Sequence, residues 1–228
     1  MLQIDTTRYG FRFREIWFAG APHDVQDADR VSFMDCRNDT GGRERGFDCR
    51  PFPTLVVDLD GSLDEIRGRM SKTVHQELNR AERDPFEVRV DMDYEAFLDL
   101  DARFREEGGR PPPVWTAEAL RSHGTLLTAR LDGEVIAGVY LLEGPSAMRY
   151  LFGASMRLED REQSALIGRA NKHLLWLGIQ RAKERDLPFL DLGGYATGDH
   201  LTDSQRGINR YKERFGGRRA DHWICEKT

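Results

Sequence analysis

The residues of this chain that could do chemistry lie mainly in its last third. Lys212 sits in the segment Gly207-Ile-Asn-Arg-Tyr-Lys-Glu-Arg-Phe-Gly-Gly217. On a helix, Ile208, Tyr211 and Phe215 share one face by their spacing, and Lys212, four residues after Ile208, falls at its edge. A lysine aimed inward must meet an anion or a developing negative charge to offset its desolvation. Otherwise only its stem is buried and the ammonium snorkels to water. Asp191, between Leu190 and Leu192 at a strand end, could orient an amine or a lysine, or cap the turn that follows. Gly193 and Gly194 permit close backbone approach, so their N–H groups could meet a carbonyl or a phosphate, or simply turn the chain.

Arg149 and Tyr150 are neighbours on one expected strand, so only one of them can face a cleft. For Tyr150, core packing is the other reading. Trp115, after three consecutive prolines, is either a lid contact or a loop anchor. Arg69, Lys72, Arg80 and Arg83 fall on one helical stripe, and Arg206, Arg210, Arg214, Arg218 and Arg219 form a second basic cluster. Each could be plain solvated surface; together they point to a polyanionic partner. The six histidines are scattered without ligand spacing, so neither a metal centre nor a Ser-His-Asp mechanism is expected.

The elements that must position these residues follow from hydrophobic period and turn chemistry. Residues 1–51 look strand-rich and irregular, an extension or a remnant half-domain, and residues 52–228 form the main domain. Phe52–Leu59 is a buried-strand candidate. Ser62-Leu-Asp-Glu65 is a capping box, and the steps Leu63, Ile66, Met70, Val74, Leu78, Ala81 predict one helix running to Asp84-Pro85. A strand at Phe86–Val90 and helices at Tyr94–Arg105 and Thr116–Ser122 come next. Strands at Thr125–Leu131, Glu134–Leu142 and Ala147–Ala154 are joined by the turns Asp132-Gly133 and Gly144-Pro-Ser146. A long helix, Ser164–Arg185, leads to the strand Leu187–Leu192, a last helix, Asp203–Phe215, and a closing strand, Ala220–Cys225. The sum is an α/β fold: a mixed, mostly antiparallel sheet flanked by helices.

Composition bounds the rest. With 228 residues, 39% of them hydrophobic, the chain can bury a sizeable core. No apolar run approaches the roughly 18 residues of a membrane span, and Met1-Leu-Gln-Ile-Asp5 is unlike a signal peptide, so a cytoplasmic protein is expected. Cys36, Cys49 and Cys225 lack C-x-x-C spacing and read as free thiols in a reducing compartment. The net charge of −5 hides a segregation: six Lys/Arg against one Glu from Gln205 to Ala220, but nine Asp/Glu against three Arg from Asp84 to Gly109.

Three segments resemble the Fem-type aminoacyl and acyl transferases of the GNAT superfold. Met70-Ser-Lys-Thr-Val-His-Gln-Glu-Leu-Asn-Arg-Ala-Glu-Arg83 is similar to the family's basic helix, K-x-x-R-x-x-I-R-x-A-E-K. Phe189-Leu-Asp-Leu-Gly-Gly194 is similar to its strand end Y-D-F-G-G, and Gly207–Gly217 to G-I-x-x-F-K-x-x-F-G. The resemblance implies a single GNAT-like domain in which the strand ending at Gly193-Gly194 splays from a neighbour to open a cleft. It also implies transfer of an activated acyl group, an aminoacyl group from aminoacyl-tRNA, onto an amine of a cell-wall precursor or small metabolite, without a bound cofactor.

Such a transfer needs a neutral amine, a stabilised tetrahedral oxyanion and substrates held in register. Lys212 matches the motif lysine on the acyl-donor side and, with Asp191, is the expected catalytic pair. Lys72, Arg80, Arg83, Arg149, Tyr150, Gly193, Gly194, Tyr195, Arg206 and Asn209 are expected to hold the substrates, with tRNA on the basic patches. Two other readings stay open: an acyl-CoA-dependent GNAT N-acyltransferase, and a non-catalytic module that binds RNA or nucleotide. Acetyl-CoA members cradle pyrophosphate with [RQ]-x-x-G-x-[GA] at the start of the long helix. Here the comparable stretch is Arg161-Glu-Gln-Ser-Ala-Leu166, where Ser164 and Leu166 replace the small residues, so weak or no acetyl-CoA binding is expected.

Overall fold

The computed structural model describes residues 1–112, 115–156 and 160–227 and arranges them in two sheets. The larger holds seven strands in the order β11 (Arg218–Ala220), β5 (Thr54–Asp58), β10 (Phe189–Gly194), β9 (Met148–Ser155), β8 (Glu134–Glu143), β7 (Gly124–Leu131) and β6 (Glu87–Asp91). Its pairs are antiparallel except β9 with β10. Asp132 and Gly133 both take positive φ, 51° and 85°, the backbone of a tight two-residue hairpin turn between β7 and β8. In β8 the run from Val135 to Leu142 is buried throughout, because helices cover both sheet faces.

One face packs against α5 (Arg161–Glu184), whose Ile167, Ala170, Leu174, Leu175 and Ile179 join a core with Val57, Leu59, Leu127 and Leu190. The other face meets α3 (Tyr94–Glu107) and α4 (Ala117–His123), where Phe97, Leu100 and Leu120 pack with Trp17 and Tyr140. The Phe97 ring lies over Gly138, where a Cβ would stand 2.5 Å from it.

The smaller sheet runs β1 (Leu2–Arg8), β2 (Phe11–Trp17), β3 (Arg30–Cys36), β12 (Trp223–Lys227), β4 (Asp48–Pro51). The expected closing strand is thus two strands in different sheets. Chain pairing stops at Asp221-His222, and β12 crosses the boundary drawn at residue 51 to pair with β3 and β4. In that register Cys225 faces Cys49, and the two form a disulfide. This corrects the free-thiol reading, which had no means of seeing a pair separated by 176 residues. Cys36 is the remaining thiol, buried and pushed up to about 12 by burial and by the neighbouring Asp35 carboxylate.

The helix expected from Ser62 to Arg83 is also two: α1 (Leu63–Gly68) and α2 (Lys72–Ala81). The capping box at Ser62 and Glu65 is present, but Ser71 caps a second start by accepting from Val74 N. Gly68, a weak helix former, ends the first segment, and Ser71 N–H donates 2.8 Å to the carbonyl of Arg214 at the end of α6 (Asp203–Glu213).

Candidate active site

Strands β9 and β10 are paired only at Leu190↔Met148 and Asp191↔Arg149. Beyond that point they part. β9 carries an extra residue between Tyr150 and Phe152 in its pairing with β8, while β10 is irregular against β5 between Asp191 and Gly194. Gly193 takes φ +81°, open to glycine at little cost, and a Cβ there would lie 3.3 Å from the carbonyl of Tyr150. The sheet therefore opens where the sequence places Asp191, Gly193 and Gly194, as the resemblance implies.

A buried charged cluster fills the base of this opening. Arg149 Nη1 donates to Asp191 Oδ2 at 2.7 Å and pairs with Asp35 Oδ1 at 3.0 Å. Asp191 Oδ1 accepts from Gly193 N–H at 2.7 Å and from the Thr54 hydroxyl. Asp35 accepts from His222 Nδ1, which fixes the proton on that nitrogen. The rings of Phe52 and Trp17 lie 5.3 and 5.7 Å from the guanidinium carbon. Asp35, Asp191, Arg149, His222 and Thr54 are all buried. Asp35, Asp191 and His222 are residue types that could ligate a metal, and among the described residues they are the group close enough to do so. The guanidinium already stands between the two carboxylates, so the cation of this cluster is Arg149.

Lys212 completes the centre. Its ammonium donates 2.6 Å to the carbonyl of Gly194, and the side chain is buried. Burial, then the like charge of Arg149, lowers its pKa from 10.5 to about 8, against the opposing pull of Asp191. In the carboxylate pair, burial raises Asp191 and the charge of Asp35 adds to it, while Arg149 opposes. For Asp35 burial also raises, but Arg149 and His222 outweigh it and hold this carboxyl below its ordinary range. The pair therefore takes its first proton on Asp191. A lysine with its pKa at about 8 at an opened strand end can stabilise an oxyanion on a reacting carbonyl.

The other expected residues are distributed as follows. Tyr150 packs against the α5-side core, on the opposite side of its strand from Arg149. Tyr195 sends its hydroxyl to Glu213 at 2.5 Å, and Asn209 bonds both the N–H and the carbonyl of Ala196. Arg206 is tied to Asp203 and to the Leu201 carbonyl on the surface of α6, while Lys72 and Arg80 lie exposed on α2 and Arg83 in the turn that follows it. These four stand outside the buried centre. The inward stripe is Asn209 and Lys212 on α6, continued by Phe215 in the turn after it, rather than the apolar series beginning at Ile208, which is 43% exposed. Backbone partners for Asn209 and Lys212 make that possible.

Sequence reasoning missed Asp35, Thr54, His222, Trp17 and Phe52. The one available signal was an acid, Asp35, closing the apolar run Val31-Ser-Phe-Met and followed by a buried cysteine.

Known structures share this fold. The protein resembles FemX with a TM-score of 0.68 at 13% identity, over 98% of this chain and 83% of that one. It also resembles the C-terminal domain of a protein assigned as a lysylphosphatidylglycerol synthetase from Agrobacterium fabrum, with a TM-score of 0.62 at 12% identity over 99% and 80%. For L-PGS from Bacillus licheniformis the TM-score is 0.57 at 14% identity, over 86% and 67%. At such identities these likenesses establish the fold alone. No curated protein matches the sequence. Residues 68–213 match the family described as acetyltransferase (GNAT) domain. That segment is well over half of the chain, and the protein belongs to the GNAT acetyltransferase family.

Proposed function

We propose that this GNAT-type acyltransferase moves an aminoacyl group from aminoacyl-tRNA onto an amine, of a cell-wall precursor or a small metabolite. The observation that carries the reading is Lys212: a buried ammonium on the Gly194 carbonyl, one residue from a Gly193 N–H held by Asp191. The aminoacyl ester is already activated, so transfer needs no covalent enzyme intermediate. The acceptor amine, neutral on arrival, attacks the ester carbonyl; the Lys212 ammonium stabilises the oxyanion; the tRNA ribose hydroxyl leaves with the proton lost by the amine.

Two features favour tRNA over acyl-CoA as donor. Lys72 and Arg80 on α2, Arg83 just after it, Arg210 on α6 and Arg214 at its C-terminal end are exposed and have no ion pair among the described residues, and the two helices meet at Ser71 and Arg214. Such free cations suit a polyanion. At the start of α5, where acyl-CoA enzymes place pyrophosphate, the side chain of Asp160 accepts from Gln163 N at 2.8 Å and Glu162 stands in the first turn. A negative cap there repels phosphate. Among the described residues, no helix is long and apolar enough to cross a membrane.

The deciding experiment incubates the protein with a pool of charged tRNAs, and separately with a pool of acyl-CoAs, each with an amine library, and reads mass-shifted products. Amide products from the tRNA arm alone support the proposal. Products from the CoA arm alone replace it with the acyl-CoA reading.

A further inference from the structure

Next to the Lys212 centre lies a cleft of about 390 Å³ lined by Phe52, Pro53, Gly194 to Thr197, Gln205, Ile208 and Asn209. It shares Gly194 with the centre: the carbonyl of that residue receives Lys212, while its Cα faces the Phe52 ring, 3.1 Å from where a Cβ would stand. Phe52 in turn flanks the Arg149 guanidinium. The cleft is thus within reach of a group bonded to a carbon or nitrogen reacting at Lys212.

The cleft's lining is chemically selective. The Asn209 amide is spent on both backbone groups of Ala196, the Tyr195 hydroxyl on Glu213, and the Gln205 carbonyl oxygen on the Thr202 cap. Apart from the Thr197 hydroxyl and the Gln205 amide nitrogen, its walls are the apolar surfaces of Phe52, Pro53, Ala196 and Ile208, and neither a carboxylate nor a cation lines it. Ile208 is 43% exposed here although it sits on an otherwise strongly polar helix. A charged group entering would lose hydration without meeting an opposite charge, whereas an apolar one buries area on both sides.

We infer that the cleft receives an uncharged apolar or aromatic side chain, carried by the transferred amino acid or by the amine acceptor. This rests on the aminoacyl-transfer reading for its chemistry but not for its binding test. The full chain, labelled at the Ile208 δ1 methyl, is titrated by NMR with two series of compounds. The first is non-hydrolysable 3′-aminoacylamido-3′-deoxyadenosines, standing for the donor; the second is free amino-acid amides, standing for the acceptor. Each series contains phenylalanyl, leucyl, lysyl and glutamyl members.

In one of the series, the phenylalanyl and leucyl members should shift the Ile208 methyl and bind about tenfold or more tighter than the charged members. The series that responds identifies the source of the side chain. Ile208→Lys, a change at an exposed position, should abolish that preference. Equal or tighter binding of lysyl or glutamyl compounds would overturn the inference, as would an unmoved Ile208 signal in both series or an unchanged preference in Ile208→Lys. Assaying transfer from charged tRNA with the native protein alongside the titration separates the two proposals. If apolar compounds bind while charged tRNA yields no product, the cleft stands and the transferase reading fails; transfer without the Ile208 response refutes only the cleft.

Discussion

Two groups of cations in this molecule differ in kind. Arg149 and Lys212 are buried, and each is held by named partners: two carboxylates and two rings for the first, a backbone carbonyl for the second. Lys72, Arg80, Arg83, Arg210 and Arg214 are exposed and have no ion pair among the described residues. Helix α6 carries both kinds on opposite faces. The difference teaches that a buried charge must be compensated and so fixes geometry, whereas an exposed unpaired charge leaves the fold indifferent and is available to a ligand.

The contrast is broken most directly at Arg149. In Arg149→Met, Asp35 and Asp191 face each other without their shared cation, and removal of one partner from a buried ionic cluster costs about 3–5 kcal/mol. Chemical denaturation should show that loss, while Arg80→Met leaves the midpoint where it was. Adding Asp35→Asn and Asp191→Asn to Arg149→Met should restore much of the stability, since the uncompensated charges go with it. Equal midpoints for the two single variants would erase the distinction between the populations.

A second test concerns the sheet that supplies Asp35. The Cys49–Cys225 bridge ties β12 to β4 across 176 residues of chain. Its removal by reduction, or as Cys225→Ser, should cost about 2–5 kcal/mol, chiefly by freeing the unfolded chain. Thermal unfolding with and without reductant measures it. Identical midpoints would mean the bridge does not constrain the chain.

How much of this was legible beforehand depended on range. The hairpin at Asp132-Gly133, the capping box at Ser62 and the helix carrying Lys212 are local patterns, and all are present. So is the strand end Asp191-Leu-Gly-Gly, with its opening. Asp35 and His222 reach the same centre from β3 and from the link between β11 and β12. No local period marks that convergence, because it depends on β12 changing sheets. Ile208 failed for the opposite reason. Apolarity suggested an inward residue, but two polar neighbours with backbone partners took the inward face.

Lys212 tests the buried population without breaking the fold. Lys212→Met keeps the apolar stem and deletes a desolvated ammonium, so stability should change by no more than about 1 kcal/mol, or rise. Turnover on the substrate found by the pool experiment should fall by roughly 100-fold, with affinity little changed, because the interaction strengthens in the transition state. In the native protein the rate should also decline as pH rises through about 8, where Lys212 loses its proton, rather than near the ordinary 10.5. The stability sign follows from the same shift. Between those values the unfolded chain holds the proton that the folded one has released, so this group's contribution to stability rises with pH. Lys212→Met should lack that increment. Near-native turnover in the folded variant would leave Lys212 a structural lysine.

The exposed population gives the smallest and most specific effect. If Lys72, Arg80, Arg83, Arg210 and Arg214 meet the phosphates of tRNA, each pairing releases condensed counterions, and affinity falls with salt in proportion to the number of phosphates neutralised. Reversing charge at Arg80 and Arg83 should weaken tRNA binding at low salt and lower the slope of log affinity against log salt by about 0.7–0.9 for each phosphate no longer neutralised. The same double variant should unfold at the native midpoint, because neither side chain has an ion pair to lose among the described residues. Filter binding across a salt series, with denaturation run in parallel, reads both quantities on one preparation. A fall in slope without a fall in stability is the signature of a ligand-facing charge. An unchanged slope would reduce the α2 face to solvated surface, and the RNA-binding surface would then have to be sought at Arg210 and Arg214 alone.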